Sequence, residues 1–598
     1  MKCYQKDYPR PQFVRRNWEN LNGLWDFAFD DSNKGEQEKW YNNFSGSLKI
    51  QVPFTYESAL SGIHDNTPHN NIWYHRIFHV NGALLQENNY ILHFEGCDFH
   101  TKLWINGEYA GCHSGGYARF SFDVTNLLKD GENHVTVKVE DSFDLQMPRG
   151  KQRWKDENYG VFYVQTTGIW KTVWSEYVPQ ICLSDIKMTP NLQDTRLELE
   201  ACIQAPAEAF DGNLFLETTI SFNGYPVSKT CIAPFDNMNR NIKIGIDLHS
   251  EVSNTDEPTV KTWSPEHPDL YDIEFRILKN GAVLDQVGSY FAMRDIRIEG
   301  CRILLNRSPL YQRLLLDQGY WKDSLLTPPC EEAIWEDIEK ILAMGFNGVR
   351  KHQKIEDERF LYWCDVKGLL VWSEMAAAFL YSDSALSEFT REWLEIVRQN
   401  YNHPCIITWT PFNESWGITN IKKRRDQQCF VNAIYYLTKS IDPIRPVITN
   451  DGWEHTISDI ITIHDYGQDA DALKNRWSEH KNEILNADTS PDVQRAAFAD
   501  GFSYQGQPVI ISEYGGIAID TGVPGWGNMV KEEEFVQRFE SITTAIRQIP
   551  YVCGYCYTQV TDVQQEINGL MDMDRNFKAD PEIIRRINTQ PVNSANQE

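Results

Sequence analysis

The sequence predicts two antiparallel β-sandwiches followed by a (β/α)8 TIM barrel. Segments of alternating hydrophobicity fill the chain to about residue 180, the same pattern continues to about residue 293, and helical periodicity begins near residue 294. A chain of 598 residues is also too long for a single hydrophobic core. We therefore expect three domains, at residues 1–180, 181–293 and 294–598.

The first segment is predicted to be an all-β sandwich. Apolar and polar side chains alternate at 91–94 and 134–139, which is the period of a half-buried strand. Asn106-Gly107 is a dipeptide that favours a hairpin turn. Short strands separated by such turns are typical of a sandwich.

The second segment continues the strand pattern. Residues 197–201 and 271–277 alternate between apolar and charged side chains. A segment of this length with this pattern suits a small immunoglobulin-like sandwich.

The third segment combines helices with buried strands. Ile334, Ile338 and Ile341 recur at the spacing of one helix face. Between such helices lie short runs that are apolar on both faces, at 369–372, 406–409 and 509–511. Runs of this kind mark buried parallel strands, and their alternation with helices over about 300 residues predicts a (β/α)8 barrel.

Composition restricts the classes of function. A formal net charge of −27 argues against a nucleic-acid partner, which would require clustered lysines and arginines. Thirteen cysteines, an odd number, favour reduced thiols, and no apolar run has the length of a signal peptide or a membrane span. We therefore expect a cytoplasmic protein with neither a nucleic-acid nor a membrane partner. Cys553 and Cys556 form a CxxC without a second ligand pair, so we assign it no function.

Polar residues at the strand ends identify the predicted active site. In a (β/α)8 barrel the catalytic residues lie at the carboxyl ends of the strands. Glu414 follows the run at 406–409, and Glu513 follows the run at 509–511. Other polar residues in this position are Arg350, Glu374, His464 and Tyr466. No HExxH motif or compact ligand cluster is present, so we expect neither metal nor cofactor.

Two glutamates at one barrel mouth can hydrolyse a glycosidic bond. One carboxylate attacks the anomeric carbon, and the other protonates the leaving oxygen and then deprotonates water. Arg350 and Tyr466 could keep the nucleophile ionised. A single glutamate at a strand end is more often a solvated loop residue, and Glu374 alone is more often a barrel-mouth ion-pair partner. The pairing of Glu414 with Glu513 favours catalysis.

Several motifs resemble glycoside hydrolase family 2, which contains β-galactosidases, β-glucuronidases and β-mannosidases. Asn402-His403-Pro404 leading to Asn413-Glu414 resembles the acid/base motif, and Ser512-Glu513-Tyr514-Gly515 resembles the nucleophile motif. The resemblance covers nearly the whole chain and implies that the first sandwich is a jelly roll. Further matching segments lie at 21–27, 52–54, 103–107, 111–117, 122–125, 167–174 and 263–271.

The resemblance implies roles for individual residues. Glu414 corresponds to the general acid/base, Glu513 to the nucleophile, and Asn413 to a residue that binds the sugar. The other positions expected to bind substrate are Arg350, Tyr466, His464 and Glu374, and, by position alone, Trp453, Tyr557 and Asp317. The implied protein is an exo-acting, retaining β-glycosidase for a terminal β-linked sugar. Homo-oligomerisation is a family expectation.

Departures from the family pattern concern the sugar. Residues 351–354 read Lys-His-Gln-Lys, where the family often has Ser-His-Tyr-Pro after the barrel arginine. The Asn-x-Lys motif of β-glucuronidases is not at its usual place, because Asn568-Gly569 stands there and Asn576-x-Lys578 comes too late. We therefore expect β-galactosidase-like activity. The alternatives are a β-uronidase that uses Lys351 or Lys354 for the sugar carboxylate, and a non-catalytic carbohydrate-binding protein.

Overall fold

The computed structural model describes residues 4–235, 240–248, 260–486, 495–520, 522 and 525–591. Among these residues the three largest hydrophobic cores lie one in each sandwich and one, the largest, in the barrel. The architecture predicted from the sequence, two sandwiches and a barrel, is confirmed. No helix among the described residues has both the length and the apolar character needed to cross a membrane.

The first sandwich packs a six-stranded antiparallel sheet against a four-stranded one. Alternate side chains of both sheets form its core because successive residues of a strand point to opposite faces. One short helix, Gly82–Glu87, interrupts the strands. In spatial order the six strands are Leu48–Val52, Gly23–Phe29, Asn71–Val80, Gly131–Glu140, His100–Ile105 and Glu108–Ser114, and the four are Trp18–Asn20, Val173–Pro179, Asn88–Phe94 and Phe120–Asp123. Cys97–Asp98 pairs separately with Gly168–Ile169.

The middle sandwich is smaller. Its strands show the predicted alternation, with Leu197, Leu199 and Ala201 buried on one face. One sheet contains Cys182–Asn191, Arg196–Gln204 and Asn241–Asp247; the other contains Tyr225–Pro226, Leu214–Phe222, Cys231–Pro234, Tyr271–Lys279 and Ala282–Phe291. We propose domain boundaries at 180/181 and 293/294, because the chain changes sheet near both positions.

A three-stranded meander leads from the middle sandwich into the barrel. Its strands are Ile296–Glu299, Arg302–Leu305 and Ser308–Pro309. Seven barrel strands then form one parallel sheet, and the short fifth strand, Asn450–Asp451, pairs with Phe412–Asn413, which extends the fourth. In chain order the barrel strands are Gln312–Asp317, Gly348–Lys351, Leu370–Glu374, Ile406–Thr410, Asn450–Asp451, Ile461–His464, Val509–Gly515 and Val552–Thr558.

Capping residues mark the ends of two neighbouring barrel helices. The Ser382 side chain accepts the N–H of Ala385 at the start of the helix Asp383–Gln399, and Gly368 ends the preceding helix in the left-handed conformation. The helix Glu331–Ala343 buries Ile334, Ile338 and Ile341, the apolar face that the sequence predicts. The helices are Glu331–Ala343, Glu358–Lys367, Asp383–Gln399, Arg425–Ile441, Ala470–Glu479, Lys481–Asn486, Glu532–Arg547 and Pro581–Thr589. Two short strands, Ile517–Ile519 and Asn528–Val530, pair beyond the seventh barrel strand.

The first sandwich is joined to the barrel by buried hydrogen bonds. Glu392, on the helix Asp383–Gln399, accepts the backbone N–H of Tyr117 at 2.6 Å and that of Ala118 at 3.3 Å. Thr327, before the first barrel helix, donates to the carbonyl of Trp170 at 2.6 Å. These contacts hold the sandwich segment 149–163 beside the carboxyl ends of the barrel strands.

Candidate active site

The barrel brings Glu414 and Glu513 to one histidine. Nδ1 of His464 lies 2.9 Å from Oε1 of Glu414 and 3.5 Å from Oε2 of Glu513. The ligand-type atoms of these three side chains all lie within 4.8 Å of one another. The two carboxylates therefore face a common space at the mouth of the barrel.

Backbone geometry fixes the position of Glu414. Glu414 and Ser415 adopt φ angles of +50° and +59°, a left-handed conformation that non-glycine residues rarely occupy. The N–H of Glu414 donates to the carbonyl of Asp451, and the N–H of Ser415 donates to Oδ1 of Asn450, both at 2.9 Å. The fifth strand thus imposes the turn that presents Glu414. Strained backbone of this kind is common at functional sites.

Glu513 is held by two donors. Arg350 Nη1 lies 2.8 Å from Oε1, and the hydroxyl of Tyr466 donates to Oε2 at 2.5 Å. Gly515, two residues later, has φ +85°, and a Cβ there would lie 2.4 Å from the ring of Tyr557. Glycine therefore allows the strand to turn immediately after Glu513 without displacing the neighbouring strand.

Arg350 links the site. Its side chain is fully buried, and it binds Glu374 through Nε at 2.6 Å and Asp451 through Nη1 at 2.7 Å. Nη2 donates to Oδ1 of Asn413 at 2.6 Å, which leaves the Nδ2 group of that amide to donate to a ligand. One guanidinium therefore orients Asn413 and Glu513 together.

His464 is a cation at neutral pH. Nε2 binds Asp451 at 2.8 Å while Nδ1 binds Glu414, so both ring nitrogens act as donors to carboxylates. Although burial opposes the charge, the negative charge of Glu513 and the hydrogen bonds to Asp451 and Glu414 raise the pKa of His464 to about 10. The pKa of Glu414 is lowered: burial opposes this, but the hydrogen bond and charge of His464 outweigh it.

Three family models match the chain in sequence order. The sugar binding domain of glycosyl hydrolases family 2 matches residues 18–174, a model described only as glycosyl hydrolases family 2 matches residues 181–294, and the TIM barrel domain of the family matches residues 330–590. The chain belongs to glycosyl hydrolase family 2.

Curated relatives of this family 2 chain have more than one activity in their names. A protein of Formosa agariphila named as a β-glucuronidase is 26% identical over 456 residues, covering 73% of this chain and 51% of that protein. A β-galactosidase of Thermoanaerobacter pseudethanolicus is 27% identical over 380 residues, covering 62% of this chain and 48% of that protein. The chain spans about half the length of these relatives.

Solved structures share the fold along the whole length. The β-glucuronidase of Bifidobacterium dentium, complexed with coumarin-3-O-glucuronide, superposes with a TM-score of 0.80 at 19% identity, covering 97% of this chain and 99% of that one. A family 2 β-galacturonidase from Eisenbergiella tayi has a TM-score of 0.74 at 20% identity, covering 98% of this chain and 99% of the other. At these identities the likeness establishes the fold.

Three residues expected to bind substrate have other partners in this family 2 barrel. Tyr557 is fully buried and packs against Phe539 of the helix Glu532–Arg547, because alternate residues of its strand face outward. Asp317 is engaged by Lys351 and by the N–H of Gly319, both at 2.8 Å. Glu374 is fully buried behind Arg350, so it supports that arginine.

The two lysines proposed to bind a sugar carboxylate are also engaged. Lys351 pairs with Asp317 at 2.8 Å and with Glu356 at 2.6 Å, and its ammonium lies over the ring of Phe360. Lys354 pairs with Glu356 at 2.9 Å and donates to two backbone carbonyls. Both ammonium groups therefore already have buried carboxylate partners, and we keep neither as a candidate for binding the sugar carboxylate.

The structure adds residues that the sequence analysis did not select. Asp451 ends the fifth strand after the apolar pair Val447-Ile448, a run short enough to be overlooked. Thr558 follows Tyr557 and contacts the hydroxyl of Tyr466 at 3.2 Å. Trp453, which was expected, lies with its ring 5.3 Å from His464 and its buried Nε1 without a partner in the described chain.

Two clusters of the described residues carry ligand atoms of the kind that bind metals. In Glu414, His464 and Glu513, the cationic imidazole already occupies the space between the carboxylates, so this trio does not suit a metal ion. In Asp365, His403 and Cys405, the Asp365 carboxylate is already bound by Nδ1 of His403 at 2.6 Å, by the Tyr290 hydroxyl at 2.7 Å and by the N–H of Cys405 at 2.8 Å. Neither cluster fits a metal centre.

Proposed function

We propose that this protein is an exo-acting, retaining β-glycosidase that releases a terminal β-linked sugar. The observation that carries the proposal is the separation of Glu414 and Glu513, whose nearest oxygens lie within 4.8 Å. Retaining enzymes hold their two carboxyl groups about 5–5.5 Å apart, whereas inverting enzymes leave room for a water molecule between carboxyl groups about 6.5–9.5 Å apart.

In the first step, Glu513 attacks the anomeric carbon as the bond to the leaving oxygen breaks. The leaving oxygen takes a proton from Glu414, and a covalent glycosyl ester forms on Glu513. Water then attacks the same carbon, gives its proton to Glu414 and releases Glu513. Arg350 and Tyr466 stabilise the departing carboxylate because both donate hydrogen bonds to its oxygens.

The proton of the acid is supplied within the site. Glu414 is ionised beside the His464 cation, so the proton that the first step requires lies on Nδ1, 2.9 Å from Oε1. Transfer along this hydrogen bond gives a neutral carboxylic acid and a neutral imidazole that still donates to Asp451 from Nε2. Glu414 and His464 therefore hold one acid proton between them.

Asn413 binds the sugar in this proposal. Arg350 fixes its amide with Oδ1 inward, so Nδ2 is directed away as a donor for a hydroxyl near the anomeric carbon. The sugar itself is either a β-galactoside, which we take as the first expectation, or a β-uronide. The names of the relatives support both.

The compartment and assembly are further proposals. The described cysteines are all free thiols, which supports a cytoplasmic location. Homo-oligomerisation is proposed from family membership alone, and size-exclusion chromatography with light scattering would test it.

Azide trapping tests the assignment of the two carboxylates. Glu414→Ala should react with a nitrophenyl glycoside and azide to give the β-glycosyl azide, because azide replaces water on the Glu513 ester. Glu513→Ala should give the α-glycosyl azide, because azide then occupies the place of the nucleophile. The opposite stereochemistry from either variant would refute the roles. Galactoside, glucuronide, galacturonide, mannoside, glucoside and arabinoside with one nitrophenyl leaving group should be compared to define the sugar.

A further inference from the structure

Residues 149–151 of the first sandwich contact the loops at the mouth of the barrel. The N–H groups of Arg149 and Gly150 both donate to the carbonyl of Ala377, after the third barrel strand, at 3.0 Å. Gly150 has φ +61°, and a Cβ there would lie 2.5 Å from the carbonyl oxygen of Gln353, after the second strand. These contacts fix the backbone of the next residue, Lys151, at the mouth of the barrel.

The side chain of Lys151 lies on the acid/base side of the site. Its ammonium lies 5.9 Å from the centre of the Phe162 ring. That ring packs edge-on against Trp416 at 6.0 Å, and Trp416 follows Glu414 by two residues. Lys151 is half-buried, and no ion pair within 4.0 Å joins it to any residue in the described ranges.

The charge of Lys151 acts on groups from different strands. Burial has the largest effect on the pKa of Glu414, His352 and Glu566, and the charge of Lys151 acts to lower the pKa of all three. Arg350 is saturated by protein acceptors, whereas Lys151 contacts none of these carboxylates directly. The ammonium of Lys151 therefore keeps N–H donors that no carboxylate of the described chain fills, and these can pair with an anionic ligand.

We propose that Lys151 binds a carboxylate of the substrate, carried either by the terminal sugar or by the leaving group. The inference rests on the proposed glycosidase function and names a substrate class for it. Many acidic side chains line the mouth, so an anionic substrate requires a cation that the protein has not already paired. Lys151 meets this requirement, and Lys351 and Lys354 do not.

Such a pairing would also assist the acid. A substrate carboxylate bound to Lys151 neutralises an ammonium whose field favours the ionised form of Glu414. It also places a second negative charge near Glu414. Both effects raise the pKa of Glu414.

Charge-removing and charge-keeping variants test the proposal. Lys151→Gln removes the ammonium, and Lys151→Arg keeps a cation of similar reach. Lys155→Gln is the matched control, because Lys155 lies in the same segment but is exposed over the ring of Tyr159 at 4.1 Å. Each protein is assayed with nitrophenyl β-glucuronide and β-galacturonide, the matching neutral glycosides, and a neutral glycoside with a carboxyphenyl leaving group.

Lys151→Gln should lower kcat/KM about 10- to 100-fold for the substrates whose carboxylate it binds, the loss expected for a charge-assisted hydrogen bond. Lys151→Arg should restore most of it, and neutral substrates and Lys155→Gln should change less than about threefold. Loss confined to uronides places the carboxylate on the sugar; loss confined to the carboxyphenyl substrate places it on the leaving group. Equal loss on neutral and anionic substrates, or no loss on any anionic one, would overturn the proposal.

Calorimetry separates this proposal from the proposed activity. If the wild type hydrolyses none of the β-glycosides, the glycosidase assignment fails, and binding still decides the role of Lys151. Glucuronic and galacturonic acids and carboxyphenyl glycosides are titrated alongside their neutral counterparts. Tighter binding of an acid that disappears in Lys151→Gln supports the carboxylate contact. Acids that bind no more tightly than neutral compounds would refute it.

Discussion

At the scale of single residues, the carboxylates of the active site share two cationic partners, Arg350 and His464. Arg350 contacts Glu374, Asp451 and Glu513 at once, so three carboxylates of the site share one rigid guanidinium. His464 adds the second charge, between Asp451 and Glu414. Within this network Glu513 is saturated with donors, while Glu414 keeps 25% of its side chain exposed. This asymmetry suits one nucleophile and one acid/base.

Glu513→Gln removes the nucleophile and keeps its shape. Turnover should fall by at least ~10³-fold because a neutral amide cannot form the glycosyl ester. Burst kinetics with a dinitrophenyl glycoside measure this loss, and circular dichroism checks the fold. Glu533→Gln, an exposed acid in the first turn of the helix Glu532–Arg547, is the control. Normal turnover of Glu513→Gln would remove Glu513 from the mechanism.

His464→Gln removes the proton store beside Glu414. Because the pKa of His464 is raised to about 10, the wild-type pair keeps its proton through neutral pH and loses it only as the pH rises toward that value. In the variant Glu414 must hold the proton alone, so the alkaline limb of kcat/KM should move down by several pH units. A dinitrophenyl leaving group needs little protonation and should lose much less activity. An unchanged alkaline limb would show that His464 supplies no proton.

At the scale of elements, the alternation of side chains along a β-strand decides which residues reach the site. Tyr557 and Thr558 are neighbours on the eighth strand, yet Tyr557 packs outward on a helix and Thr558 faces Tyr466. The sequence analysis located the strand. Because the strand is apolar on both faces, its sequence does not show which residues face the barrel interior and which face the helices. The positions of Glu414 and Glu513 were predictable because each follows a clear apolar run.

Other site residues could not be predicted from local patterns. Asp451 ends a strand of only two residues, which is too short for an alternating pattern to be visible in the sequence. Lys151 reaches the site from a different domain, so its role depends on how the sandwich docks. Lys351 appeared free in the sequence because its partners, Asp317 and Glu356, come together only in the folded barrel.

Gly515→Ala tests the turn after the nucleophile. Its φ of +85° and the Tyr557 ring 2.4 Å from the added Cβ should together cost at least about 2 kcal/mol and displace Glu513. Gly131→Ala is the matched control, because Gly131 has φ +84° and no atom within 4 Å of the added Cβ, so only about 1 kcal/mol is expected. Thermal midpoints and kcat measure both effects. Equal losses in the two variants would show that contact with Tyr557 does not matter.

At the scale of the whole molecule, the sandwich and the barrel meet through buried acids. Glu392 lies in this contact with no solvent exposure, and burial raises its pKa to about 7. In the unfolded chain this group titrates near 4.5. Between these values the folded state binds more protons than the unfolded state, so stability falls as the pH rises. Ionisation of Glu392 in this contact therefore lowers the free energy of unfolding at neutral and alkaline pH.

Glu392→Gln should remove this dependence. The amide oxygen still accepts the N–H groups of Tyr117 and Ala118, and the amide nitrogen replaces Oε2, which has no partner in the described chain. Variant and wild type should be similar at pH 5, but the variant should gain up to about 3 kcal/mol at pH 8 because it has no charge to bury. Thermal midpoints at both pH values measure the difference, with Glu395→Gln, partly exposed beside His113, as control. If wild type and Glu392→Gln lost stability in parallel as the pH rose, the ionisation of Glu392 would not govern this contact.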